Sequence, residues 1–138
     1  MVDLDQSGQG FQSVVLDLGP TLGKVQTRVQ PQRSITVAGT TTLDPGDSIA
    51  LINIAGLVTI NLPDVSLWVK QPHYAPATGF ERALWVKDLG GNAVAFNITV
   101  HPFGVQTIDN LAIDYTIVQA RQLLRLYPLN DLSGWFSG

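Results

Sequence analysis

The chain has 138 residues, 45% of them hydrophobic and 14% charged, with 8 Lys and Arg against 11 Asp and Glu and no cysteine. That length suits a single domain of about 100–200 residues with a sizeable core, and excludes a multidomain enzyme. The net charge of −3 and scattered basic residues exclude the clustered Lys/Arg footprint of nucleic-acid binding, while the lack of cysteine excludes disulfides, thiolate metal sites and cysteine nucleophiles.

Val, Ile and Thr number 14, 9 and 11, a β-branched content that favours strands over helices. No segment has the roughly 18 consecutive apolar residues of a membrane span, and Met1–Asp5 lacks the basic start of a secretory signal. Residues 1–33 hold six of the ten glutamines and one apolar cluster, Val14-Val15-Leu16-Asp17-Leu18. This composition reads as an extended N-terminal arm, because alone it buries too little to offset the ordering of its backbone. A neighbouring subunit or larger assembly would hold it, with Phe11, Val15 and Leu18 as apolar anchors. The alternative is that Val14–Leu18 is an edge strand of the domain.

From Ser34 to Gly138, alternating apolar residues and turn signals recur at short intervals. Ser34–Val37 opens the series, and Asp44-Pro45-Gly46-Asp47 is a turn with Pro45 fixing φ and Gly46 free to take the left-handed region. Ser48–Ile54 is a near-continuous apolar run, expected to be buried on both faces or to lie in a subunit contact. With Leu57–Leu62 it reads as a hairpin. Pro63, Pro72 and Pro76 forbid a central strand over Pro63–Gly79 and limit any helix to about a turn around Asp64–Lys70. Further strands are expected at Arg82–Asp88, Ala95–Val100, Gln106–Ile108, Ile113–Val118, Gln122–Tyr127 and near Ser133–Phe136. The predicted fold is all-β: an antiparallel β-sandwich or jelly-roll-like domain of about eight or nine short strands behind the arm.

The order of several motifs resembles a β-domain of bacteriophage virion proteins, found in head fibres, head decoration proteins and tail fibres. The matching stretches are Ile60-Asn61-Leu62-Pro63-Asp64, Trp85-Val86-Lys87-Asp88, Gly91-Asn92-Ala93, Ile98-Thr99-Val100-His101-Pro102, Gln106-Thr107-Ile108-Asp109-Asn110, Tyr115-Thr116-Ile117, Leu124-Arg125-Leu126 and Trp135. Pro63–Gly79 is longer than that pattern, and Pro128-Leu129-Asn130-Asp131-Leu132 replaces its usual final turn. The resemblance implies a non-enzymatic structural component of the virion, often trimeric, with a major capsid or tail protein as partner and no catalytic residues.

Candidate chemistry is sparse. His73 and His101 have no neighbouring serine elbow or spaced carboxylate, so they read as structural. Glu81, Asp88, Asp109 and Asp114 could in principle pair as glycosidase acids, but nearly all the acids are aspartates beside Gly, Pro or Asn, where they serve turns. Asp44/Asp47 and Asp109/Asp114 offer too few oxygen ligands for a good calcium site. No metal, cofactor, nucleic-acid or membrane partner is expected. Trp68 and Tyr74 are the aromatics expected at an interface, whereas Trp85 is expected in the core. The alternative function is a carbohydrate-binding or receptor-binding module using Trp68, Tyr74 and Trp85 against a host glycan.

Overall fold

The computed structural model describes residues 32–71 and 83–138, and here parallel pairing dominates. The first six strands are β1 (Gln32–Ile35), β2 (Gly39–Thr42), β3 (Ile49–Ile52), β4 (Val58–Asn61), β5 (Leu84–Asp88) and β6 (Ile98–His101). They alternate between two sheets: β1, β3 and β5 are parallel neighbours in one, and β2, β4 and β6 in the other. Each pair of consecutive strands forms a rung, one strand in each sheet. Parallel neighbours always need a crossover, and here a strand of the opposite sheet supplies it. Gln32 is paired with Ile49 and Gly39 with Val58, and these two offsets along the chain set the rung length.

The remaining strands close the far end: β7 (Thr107–Ile108), β8 (Tyr115–Ile117), β9 (Leu123–Pro128) and β10 (Gly134–Ser137). The sheet orders are β1-β3-β5-β9-β10-β7 and β2-β4-β6-β8. The β8, β9 and β10 additions are antiparallel to β6, β5 and β9 respectively, while β7 lies parallel to β10.

The mostly β composition agrees with the sequence reading, but the antiparallel pairing does not. The sheets are mixed, and their strand order is not that of an antiparallel jelly roll. The Ser48–Leu62 hairpin is also corrected: β3 and β4 belong to different sheets. Period-2 alternation tells which face is inward but not which strand is the neighbour.

Inward residues of both sheets join one core. Ala50, Ile52, Leu84 and Val86 from the first sheet meet Val58, Ile60, Ile98 and Val100 from the second in one buried cluster. In the second sheet the rungs stack like on like, Val58 beside Ile98 and Ile60 beside Val100, whereas in the first Ala50 lies between Arg33 and Val86, and Ile52 between Ile35 and Asp88. Among its described residues the Pro63 region contributes α1 (Val65–Trp68), capped by Asp64, whose carboxylate accepts the Ser66 N–H at 2.9 Å. That single turn matches the limit set by the prolines, and it swings Trp68 into the core. At the closing end Gly134 passes so near β7 that an added Cβ would lie 2.2 Å from Thr107 O. Gly134→Ala should therefore force β7 and β10 apart and lower stability by about 2 kcal/mol in urea titration. Unchanged stability would refute this contact.

The Asp44–Asp47 turn forms as expected, with Asp47 N–H donating to Asp44 O at 2.9 Å. Gly46 does not use the left-handed backbone expected of it; Gly39, Gly91 and Gly104 do.

Candidate functional site

The two sheets present different outward chemistry. On the four-stranded sheet, Thr40, Thr59, Thr99 and Thr116 are successive register partners and form one outward row. Thr42, Asn61 and His101 form the next. Asn61 Nδ2 donates to Thr42 Oγ1 at 3.1 Å, and His101 Nδ1 pairs with Asp114 Oδ1 at 2.5 Å beside β8. Threonine suits both the pleat and an uncharged outer face.

The six-stranded sheet is more apolar outside. Ile49, Trp85 and Arg125 share one outward row, and Leu51, Lys87 and Leu123 the next. Tyr127 and Phe136 stack with ring centroids 5.1 Å apart on the same face. Trp85 is 38% exposed, which corrects its expected place in the core. It alternates with buried Leu84 and Val86, so its side chain must point outward.

Trp68 is corrected in the opposite sense. It is fully buried, its Nε1 donates to Asp47 O at 2.8 Å, and its ring meets Trp135 edge to face at 5.3 Å. It belongs to the core rather than to an interface. Tyr74, Phe11, Val15 and Leu18, along with His73, Phe80 and Glu81, lie outside the described residues.

The acids have definite work. Asp88 is buried at the end of β5, where its Oδ1 accepts the N–H groups of Gly91 and Asn92 and its Oδ2 those of Ala93 and Arg121. Burial opposes its ionisation, but the Arg121, Ala93, Asn92 and Gly91 N–H bonds outweigh that and hold its pKa below the ordinary value. Asp64 accepts Gln106 Nε2 at 2.8 Å while Gln106 Oε1 accepts the Val65 N–H, tying α1 to the approach of β7. Bonds from Gln106 and Ser66 lower the Asp64 pKa.

Asp44 and Asp47, the calcium candidates, instead bind Arg33 at 2.9 and 2.8 Å. Asp109 accepts from Ser137, and Asp131 from Ser133. All seven acids among the described residues are thus bound within the fold, and these residues contain no group of three or more metal-ligating side chains. The turn reading of the aspartates accounts for Asp47, Asp88 and Asp131, whose carboxylates accept turn N–H groups, whereas Asp44 pairs with Arg33 and Asp109 with Ser137 of β10. Sequence reasoning missed the aligned threonine row, although Thr40, Thr59 and Thr99 occupy equivalent rung positions.

Comparison with protein-family models gives no match, and comparison with curated proteins gives none either.

Proposed function

We propose that this chain is a non-enzymatic structural protein of a virus particle, a capsid-decoration, head-fibre or tail-fibre component. Its β-sandwich-like body serves as a rigid exposed module, assembled as a trimer and attached through the N-terminal arm to a major capsid or tail protein. The observation that carries this reading is the employment of every described acid in hydrogen bonds or ion pairs within the fold, a pattern suited to scaffold rather than acid–base chemistry. The apolar outer face around Ile49, Leu51 and Trp85 supports assembly, since contiguous apolar surface marks contact sites. The uncharged threonine face fits the same role because neutral polar groups cost less to desolvate than ions. The glycan-binding alternative loses Trp68 to the core and rests on Trp85 among the described aromatics.

Light scattering tests the assembly. The full chain should give three times the 14.9 kDa subunit mass, and a chain lacking residues 1–31 should give the subunit mass and fail to attach to particles. A monomeric full chain, or a truncated chain that still decorates particles, would overturn the reading.

A further inference from the structure

The end of the stack formed by β1 and β2 has no further strand on its outer side among the described residues. Asn53 N–H donates to Ile35 O, so the peptide groups of Arg33 and Ile35 face β3 and those of Ser34 face the opposite edge. A cleft of about 190 Å³ opens at this end, lined by Arg33, Ser34, Ile35, Thr36, Val37 and Thr41. An open edge of this kind is a template for another strand.

The chain carries a matching segment upstream. Val15-Leu16-Asp17-Leu18-Gly19 repeats Val86-Lys87-Asp88-Leu89-Gly90 at four of five positions. Val86 is the register partner of Ala50, and Ala50 of Arg33. The offset along the chain from Val15 to Arg33 is longer than that from Gln32 to Ile49 and shorter than that from Gly39 to Val58, the paired residues of the first two rungs. The sequence repeat therefore selects this register, and the length of chain between Val15 and Arg33 allows it.

We propose that the β1 edge is a docking surface for Val15–Gly19 of the same chain, which adds as a parallel strand with Val15 beside Arg33 and Leu16 beside Ser34. The segment thereby continues the stack by one rung, and the residues ahead of it, Phe11 among them, are left for contact with other molecules. This assignment is independent of the virion reading, whose test is particle attachment and mass.

The lack of native cysteine permits a direct test in the full chain. Neighbouring parallel strands lie about 4.8 Å apart, within disulfide reach. Oxidation of the double variant Leu16→Cys/Ser34→Cys should give a monomeric band of increased mobility that reverts on reduction. The control pair Leu16→Cys/Thr42→Cys should remain uncrosslinked. Disulfide-linked dimers would assign the edge to a second copy and overturn the intrachain proposal, and absence of any crosslink would overturn docking itself. Hydrogen exchange of the unsubstituted chain gives an independent readout. The Ser34 amide should be protected as strongly as Ile35, unchanged by dilution; rapid exchange at Ser34 alone, or protection lost on dilution, would overturn the proposal.

Discussion

Replacing Trp68 with alanine should lower the unfolding free energy by about 4 kcal/mol, the scale for removing a large aromatic from a packed core. The side chain is fully buried, so its removal leaves a cavity bounded by Trp135. The rigid sheets can close that cavity only partly. The Asp47 carbonyl also loses the indole N–H that reaches it at 2.8 Å, so the loss includes a hydrogen bond as well as packing. Trp68→Phe restores much of the apolar volume but not the donor, and should recover part of the loss. Urea unfolding of the two variants separates these contributions. A full-strength Trp68→Ala protein would show that this residue is not a core anchor.

Asp88→Asn should be the second severe substitution, costing about 3 kcal/mol by leaving buried donors without acceptors. Both carboxylate oxygens accept two backbone N–H groups. An amide keeps one acceptor oxygen and places an NH₂ against the other two donors, so rotating the side chain does not restore the set. The acid dependence follows from the same geometry. The folded Asp88 pKa lies below the ordinary 3.8, so the unfolded chain binds more protons as pH falls past that value. The stabilisation is fully present above it and is lost as pH falls through the folded pKa. Urea midpoints measured downward from neutral pH should show a shallower acid decline for Asp88→Asn than for the parent chain. Equal slopes would remove Asp88 as a contributor to acid sensitivity.

These two residues also show how far sequence reasoning reaches. Asp88 precedes Leu89-Gly90-Gly91-Asn92, and its turn assignment follows from local chemistry, because an aspartate can satisfy nearby backbone donors. Its fourth donor, Arg121, is 33 residues away and depends on β9 lying beside β5. Trp68 has no such local signature. Its single-turn helix follows from the prolines, but the direction of its side chain depends on how that turn meets β10. Aromatic bulk suggests a core position for Trp85, whereas alternation with Leu84 and Val86 puts it on the opposite face.

Ile35-Thr36-Val37-Ala38-Gly39 recurs as Ile52-Asn53-Ile54-Ala55-Gly56, at the same offset that separates Gln32 from its partner Ile49. The repeat thus has the length of a rung. Sequence alone determined the β-rich composition, the aspartate turns and the limit on helix around Asp64–Lys70, because backbone conformational preferences and side-chain capping act over a few residues. Only the tertiary structure decided that β1, β3 and β5 stand parallel, that Trp68 is buried and that Trp85 is exposed. Strand partners and their outer faces are selected by packing across the core between distant segments, and period-2 alternation is compatible with either parallel or antiparallel pairing.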